Sequence, residues 1–392
     1  MADSLSLPVP ATARVRERAE TIPWYVWCSV AAVTSAMIGG HWDISWHRSI
    51  GRDTFWTPAH IAIYLCGVLA GVSCGYMILA TTFGKLPDLA AASVRIWGFR
   101  GPLGAFIASW GGIAMLTSAP LDDWWHSAYG LDVKILSPPH VLLIMGVLAI
   151  ETGTLILILG YMNRASGALQ KRLNVLFLYI GGMMIVLLLV MIMELTNRVV
   201  MHSGGFYKVV ALTVPAVMAA VARASNVRWA TAICAAVYTA FLCGLVWVLP
   251  LFPAEPKLGP VYQQVTHFIP PHFPLLLIVP AIALDLLWER TRNWNAWLLA
   301  VLSGVVFYVV FLAAQWPFAD FLMSPASRNW FFGTHYLDYA THPSSNAARH
   351  VFYPLEKSLG EFWKQMAYGL VFAMLTMRIG IAWGNWMRTI RR

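Results

Sequence analysis

The stretch HVLLIMGVLAIETGTLILILGYM, residues 140–162, contains one charged side chain, Glu151, in a predominantly apolar run. A helix of about 20 apolar residues spans the hydrocarbon core of a lipid bilayer. Because comparable runs recur along the chain, the sequence predicts an all-α fold, a polytopic integral membrane helical bundle of about ten transmembrane helices. The predicted spans lie near residues 24–40, 60–83, 102–119, 140–163, 174–196, 205–222, 228–250, 270–288, 295–316 and 364–386.

The composition of the 392-residue chain agrees with a membrane protein. Hydrophobic residues make up 59% of the chain and charged residues 11%. The mean hydropathy is +0.63. These values exclude an ordinary soluble globular protein, so the lipid bilayer is the first expected partner.

The net charge of +9 is distributed in a pattern typical of membrane topology. Basic residues fall in the loops on one side of the predicted spans and in a polar tail, residues 1–22. The positive-inside rule predicts that these loops and the tail are cytoplasmic. A nucleic-acid-binding protein would gather its basic residues on one soluble face, so no nucleic-acid partner is predicted. The residues concerned are Arg14, Arg16, Arg18, Lys85, Arg95, Arg100, Arg164, Lys171, Arg172, Arg223, Arg228, Arg290, Arg292, Arg388, Arg391 and Arg392.

All eleven histidines lie in or beside loops on the opposite, extracytoplasmic side of the predicted spans. Random placement would put several of them in cytoplasmic loops or in the middle of helices. The extracytoplasmic face is therefore expected to be specialised. The histidines are His41, His47, His60, His126, His140, His202, His267, His272, His335, His342 and His350.

Two segments of this face repeat one spacing of aspartate and histidine. DISWHRSIGRDTFWTPAH and DDWWHSAYGLDVKILSPPH each contain Asp, three residues, His, twelve or thirteen residues, and a second His. Each copy also has a glycine four residues after its first histidine, then an aspartate, Asp53 or Asp132, and a proline before the next span. The repeated groups are Asp43, His47 and His60 in the first copy and Asp122, His126 and His140 in the second.

This spacing predicts metal ligands. Asp and His at positions i and i+4 share one face of a helix. Pro58 or Pro138 favours a helix start that supplies the third ligand. One hairpin therefore offers an Asp-His-His set, and two adjacent hairpins offer two sets a few ångströms apart. The other interpretation is that these histidines only form hydrogen bonds at the membrane interface. His41 and Asp53 are expected to lie behind the ligands.

The donor atoms narrow the choice of metal. Imidazole and carboxylate ligands without a thiolate suit copper, iron or zinc, and the Irving–Williams order favours copper over the other two. Three protein ligands leave a coordination position open for water, dioxygen or substrate, unlike a closed structural zinc site. One or two copper ions are therefore the expected cofactors.

The segment DISWHRSIGRDTFWTPAHIAIYL closely resembles the metal-binding region of the C subunit of copper membrane monooxygenases, the family of particulate methane and ammonia monooxygenases. The shared features are Asp43, His47 and His60, the run Arg52-Asp53-Thr54 and the helix start Thr57-Pro58-Ala59-His60. The second copy keeps the spacing of the family's second ligand set. Asp122 replaces the family's Asn and adds a negative charge.

The resemblance to the C subunit covers residues 23–165. Residues 166–392 are similar, more weakly, to the A subunit of the same enzymes, through stretches such as PPHFPLLLIVPAIALDLL and QWPFADFLM. The family's B subunit carries soluble cupredoxin domains, and this chain has no soluble segment long enough for one. The resemblance therefore implies a separate cupredoxin-type partner. It also implies a quinol or a redox protein as electron donor, and a trimer.

The resemblance implies a copper-dependent membrane monooxygenase subunit in the bacterial inner (cytoplasmic) membrane, with its metal sites on the extracytoplasmic side. Asp43, His47, His60, Asp122, His126 and His140 would be both ligands and catalytic residues. The enzyme would activate dioxygen to hydroxylate a small hydrocarbon or an ammonia-like substrate. The alternative is a non-enzymatic membrane protein that transports or handles copper or zinc. A transporter would need polar ligands that continue through the bilayer.

Several other polar residues keep two interpretations. His267, His272, His335, His342 and His350 could bind a metal or tie loops together by hydrogen bonds. Glu194 could form an ion pair with Arg198, or it could contact the metal ligands or deliver protons to them. Glu151, in the centre of the fourth span, could be a protonated structural group or part of a proton path toward His140.

Overall fold

The computed structural model describes residues 21–130, 137–225, 227–291 and 293–391. Within these ranges the chain folds into ten long helices, here labelled α1 to α10. Two one-turn helices, Pro87–Ala90 and Asn346–Arg349, and a hairpin of Val94–Ile96 with Phe99–Gly101 lie in the connections. The long helices are α1 Trp24–Ser49, α2 Pro58–Thr82, α3 Leu103–Tyr129, α4 Pro138–Met162, α5 Gly167–Met191, α6 Gly204–Ala224, α7 Ala230–Val248, α8 Ile278–Thr291, α9 Ala296–Met323 and α10 Leu359–Met387.

Eight of these helices, all except α1 and α8, are long and apolar enough to cross a membrane. The predicted all-α polytopic membrane bundle is confirmed, and the chain is a multi-pass membrane protein. The tail at residues 1–22 lies almost entirely outside the described residues, which begin at residue 21.

The two exceptions have different causes. Helix α1 is 26 residues long, but its last two turns are polar and carry the charged side chains Asp43 and Arg48. The span predicted at residues 270–288 is helical only from Ile278, and α8 has 14 residues. Pro270, Pro271 and Pro274 precede it. Proline lacks the backbone N–H that an α-helix requires, so the chain stays extended through this segment.

The first four helices pack as a group, in which each contacts the next and α4 also contacts α1. Glycines bring α3 and α4 together closely. A Cβ atom on Gly111 would lie 2.5 Å from the backbone oxygen of Gly146, and one on Gly153 would lie 2.6 Å from the backbone nitrogen of Ala108. This close approach sets the distance between the ends of the two helices.

The second half of the chain packs against the first through α5, which contacts α1, α4, α6 and α7. Where α4 and α10 end, the side-chain nitrogen of Asn163 donates hydrogen bonds to the backbone oxygens of Met387 and Ile390, at 2.9 and 2.7 Å. The division at residue 165 into a C-like and an A-like part stays a prediction.

Candidate metal centres

The first cluster is built from the end of α1 and the start of α2. Asp43 and His47 lie one turn apart in α1, so their side chains project from one face. Pro58 begins α2, where its fixed φ favours the first turn, and His60 follows in the same turn. The hairpin brings the three predicted ligands of the first copy together.

Two carboxylates and two imidazoles meet in this cluster. Nε2 of His60 lies 3.1 Å from Oδ1 of Asp43 and 3.4 Å from Oδ2 of Asp53. Nε2 of His47 lies 3.8 Å from Oδ2 of Asp43 and 3.4 Å from Oδ2 of Asp53. The side chain of His47 is 46% exposed and that of His60 is 16% exposed. His60 is therefore the inner imidazole and His47 the outer one.

Asp53 differs from the sequence-based expectation. It was expected behind the ligands, yet its carboxylate lies with those of Asp43 and His60 in a group whose ligand atoms are all within 4.8 Å of one another. Burial raises the pKa of Asp53, but the hydrogen bond and charge of His47 and the charge of His60 outweigh burial and hold this pKa below its ordinary value. The sequence signals for this residue were the Arg52-Asp53-Thr54 run and the corresponding Asp132 of the second copy.

A hydrogen bond fixes the orientation of the His60 ring. Nδ1–H of His60 donates to the backbone oxygen of Thr54 at 2.9 Å. Nε2 then faces the oxygens of Asp43 and Asp53, to which it donates when the ring is protonated. When this proton is lost, Nε2 and the carboxylate oxygens are all acceptors. Acceptors this close repel one another unless a proton or a cation lies between them. A metal-ligating histidine usually donates a hydrogen bond from its other ring nitrogen in the same way.

The second cluster is built in the same way from the end of α3 and the start of α4. Asp122 and His126 are one turn apart in α3. His140 lies in the first turn of α4, whose N-cap residue Ser137 accepts a hydrogen bond from the His140 backbone N–H at 3.5 Å. Nε2 of His126 is 3.5 Å from Oδ2 of Asp122, and Nε2 of His140 is 3.4 Å from Oδ1. The three predicted ligands of the second copy are thus brought together.

The repeat in the sequence corresponds to a repeat in the backbone. Gly51 and Gly130, each four residues after the first histidine of its copy, have φ values of 85° and 93°. This left-handed region is readily accessible only to glycine, so both chains leave their helix by the same kind of turn. Asp132, the counterpart of Asp53, lies outside the described residues.

Both clusters contain a buried carboxylate oxygen that makes no well-aligned hydrogen bond, Oδ1 of Asp43 and Oδ1 of Asp122. A histidine Nε2 lies near each of them, that of His60 at 3.1 Å and that of His140 at 3.4 Å. A buried carboxylate oxygen without a donor is energetically unfavourable. A metal ion at either cluster would satisfy it. Bonds of about 2.0–2.2 Å place the ligands of such an ion up to roughly 4.4 Å apart. The ligand atoms need only a small inward movement from their 4.8 Å limit. The set of Asp43, Asp53 and His60 and the set of Asp122, His126 and His140 therefore each fit one first-row metal ion. His47, a predicted ligand, lies outside the first set.

The two clusters lie on either side of the start of α2, which packs against both α1 and α3. Tyr64, one turn after His60, interacts electrostatically with the carboxylates of Asp43 and Asp122. Its ring centroid lies 6.1 Å from that of His60. The separation of a few ångströms between the two sets stays a prediction.

Some of the remaining histidines occupy structural positions. His41 is buried, and its Nδ1–H donates to a backbone oxygen one turn earlier in α1. His202 is stacked between the rings of Trp316 and Phe352, at centroid distances of 4.1 and 3.8 Å. Its Nε2 lies 3.3 Å from Oδ1 of Asp320. Neither histidine reaches a cluster.

The loop histidines are also dispersed. His267 pairs with the Thr266 hydroxyl at 2.9 Å, and His342 with the Ser344 hydroxyl at 2.7 Å. Asp338, which shares the i, i+4 spacing with His342, pairs instead with Arg48. In the part of the chain that the structure describes, no third group of metal-competent side chains forms. The metal role considered for His267, His272, His335, His342 and His350 gains no support.

Comparisons of the chain with protein-family models, with curated proteins and with solved structures found no match. The resemblance to copper membrane monooxygenases therefore stays a prediction that depends on the residues of the two repeats.

Proposed function

We propose that this protein is a membrane-bound, copper-dependent monooxygenase subunit that activates dioxygen to hydroxylate a small hydrocarbon or an ammonia-like substrate. The observation that supports the proposal most strongly is the duplicated cluster, in which a buried oxygen of Asp43 or Asp122 lies close to a histidine Nε2 without a well-aligned hydrogen bond. Two such donor sets at one end of an apolar bundle suit a redox metal beside a membrane-soluble substrate.

In this proposal the ligands of the first cluster are Asp43, His47 and His60, with Asp53 as an additional carboxylate. Those of the second cluster are Asp122, His126 and His140. Bound copper would supply the one-electron redox chemistry that dioxygen requires.

The protein's own contribution is to position these groups. The hydrogen bond from Nδ1 of His60 to Thr54 holds the ring with Nε2 toward the two aspartates. The outer imidazole, His47, lies near both carboxylates and is open to solvent, so it would complete the ligands of the ion from the solvent side. Apolar side chains of the bundle exclude water on the membrane side.

The proposal includes partners. A separate cupredoxin-type subunit would bind near the clusters, a quinol or a redox protein would donate electrons, and the subunits would form a trimer. The clusters would face the extracytoplasmic side of a bacterial inner membrane, because the basic loops lie at the opposite end.

The proposal is tested by oxygen uptake in membranes that contain the copper-loaded protein and a reductant. Small alkanes, alkenes and ammonia are supplied in turn. We expect uptake with at least one substrate, and its loss in His60→Ala and in His126→Ala. His342→Ala is the matched control, since it removes an imidazole on the same face outside both clusters, and it should retain uptake.

Two results would count against this function. Uptake that is equal in the two cluster variants and the wild type would contradict a role of the clusters in dioxygen activation. Copper binding without any substrate-dependent uptake would favour the metal-handling alternative. One observation fits that alternative, a fully buried Glu151 carboxyl without a hydrogen-bond partner in the interior of the bundle. Copper movement into sealed vesicles, abolished by Glu151→Gln, would then identify a transporter.

A further inference from the structure

A cavity of about 330 Å³ lies beside the first cluster, on the other side of α1. Its walls are the ends of α1, α5 and α7 and three loop segments near residues 194–199, 271–275 and 336–347. His41, Ser45 and Arg48 line it from one face of α1, whereas Asp43 and His47 project from another face of the same helix. The cavity and the cluster are therefore separated by one helix, about 10 Å in diameter.

The floor of the cavity is positively charged. Arg198 is 6% exposed and donates hydrogen bonds to the backbone oxygens of Thr334 and Ala347. Among the described residues no carboxylate forms an ion pair with Arg198, including Glu194, the partner considered from the sequence. A buried cation that has only carbonyl partners is unfavourable unless an anion compensates it.

Other charged groups around Arg198 reinforce this electrostatic potential. Burial and the positive charges of Arg48 and Arg328 lower the pKa of Arg198 to about 10, and Asp338 opposes them only in part. Asp338 is itself paired with Nε of Arg48 at 2.6 Å. Glu194 also lines the cavity, but it is exposed, so solvent screens its charge.

The imidazole of His272 adds a neutral polar group. His272 lines the cavity with an exposed ring, next to the positive charges of Arg48 and Arg198, which oppose its protonation. The ring is therefore uncharged at neutral pH, and it can donate or accept one hydrogen bond. A neutral ring does not repel the guanidinium groups of Arg48 and Arg198.

Another part of the cavity lining is apolar. Val186, Leu189 and Val190 of α5 and Leu242 of α7 line it, together with Leu275 of the loop before α8. A cavity of roughly 300–1,000 Å³ with an apolar wall and a few convergent polar groups is typical of small-molecule sites. The arginine-lined part and the apolar part of the cavity together fit a molecule with one charged end and one apolar end.

We propose that this cavity binds an amphiphilic anion, whose carboxylate or phosphate lies between Arg48 and Arg198 and whose apolar chain lies against α5 and α7. Guanidinium groups bind both kinds of anion through paired charge-assisted hydrogen bonds. The anion would come from a free short-chain acid or from the headgroup end of an anionic lipid. The inference is independent of the metal and of the proposed function.

The test is calorimetric titration of the purified protein in nanodiscs of zwitterionic lipid, with octanoate, octyl phosphate and neutral octanol as probes. We expect both anions to bind saturably and octanol to bind at least about 10-fold more weakly, because a hydrogen bond to a charged group contributes about 1.5–3 kcal/mol. Arg198→Gln should weaken octanoate binding by about 10-fold or more, and Arg198→Lys by less.

Arg95→Gln is the matched control, since Arg95 is exposed, does not line the cavity and is not among the charges that act on Arg198, and it should bind octanoate as the wild type does. If Arg198→Gln does not fold, as judged by its helical circular dichroism, Arg48→Gln replaces it. Repeating the titration in nanodiscs with anionic lipid distinguishes the sources. Weaker octanoate binding there identifies the lipid headgroup, and equal binding identifies a free acid. Absence of saturable anion binding to the wild type, or equal binding by the arginine variants, would overturn the proposal.

Discussion

Replacing Gly111 by alanine should weaken the second metal cluster without touching any ligand. Gly111 lies on α3, where it faces α4, and the added Cβ would lie 2.5 Å from the backbone oxygen of Gly146 and 2.8 Å from the backbone nitrogen of Ile150. Both atoms belong to the backbone, so no side-chain rotation relieves the contact. The helices must move apart instead.

The size of the movement follows from the contact distances. Ordinary contact of a Cβ begins at 3.4 Å, so the shortfall is 3.4 minus 2.5, or 0.9 Å. Overpacking of this kind costs about 1–3 kcal/mol of unfolding free energy. Helix α3 carries Asp122 and His126 and α4 carries His140, with 3.4 Å between Oδ1 of Asp122 and Nε2 of His140. Widening this gap should lower the metal affinity of the second cluster by about 10-fold.

The assay measures copper binding and thermal unfolding of Gly111→Ala and of its neighbour variant Gly112→Ala. A Cβ on Gly112 would lie 3.4 Å from the nearest atom, the backbone oxygen of Gly67, which is ordinary contact. The control should keep wild-type stability and copper content. Gly111→Ala should lose stability and the copper of the second cluster while the first cluster, on α1 and α2, stays loaded. Equal behaviour of the two variants would refute this reasoning.

Three further predictions concern single positions. Gly51→Ala should destabilise the protein by about 1–2 kcal/mol in thermal or chemical unfolding, because φ is 85° there and the new Cβ would meet the Tyr339 hydroxyl. Unchanged stability would contradict this account of the turn. Glu151→Leu should raise the unfolding free energy by about 1–3 kcal/mol, because it removes two buried carboxyl oxygens without hydrogen-bond partners. A loss of stability in the same unfolding assay would show that the carboxyl has a partner. His267→Ala and His342→Ala should leave the copper content unchanged in elemental analysis, since both imidazoles pair with neighbouring hydroxyls away from the clusters; a fall in copper would add them to a site.

The helix and ligand arrangement was predictable where local rules decide it. The i, i+4 spacing of Asp43 and His47 and the proline starts of α2 and α4 each depend on a few consecutive residues, and the structure reproduces them. The predicted span at residues 270–288 was wrong in its first part, because hydropathy does not register that prolines prevent the helix before Ile278.

Long-range pairings were not predictable from spacing. Asp53 joins the first cluster because the chain turns back at Gly51, next to Tyr339 from a distant loop. Asp338 pairs with Arg48, 290 positions away, rather than with the nearby His342. Such contacts depend on how the two halves of the chain pack, which one sequence without relatives does not encode in a local pattern.

The most direct test of the central claim is the copper content of the purified protein and of Asp43→Leu, Asp122→Leu and the double variant. Leucine is close to aspartate in size and removes both side-chain oxygens, whereas asparagine would keep one that can still bind a metal. The wild type should bind one ion for each of the two groups of ligands. Each single variant should lose the ion of its own cluster, and the double variant should bind none. Copper content that is the same in all four proteins would contradict the assignment of these clusters as metal centres.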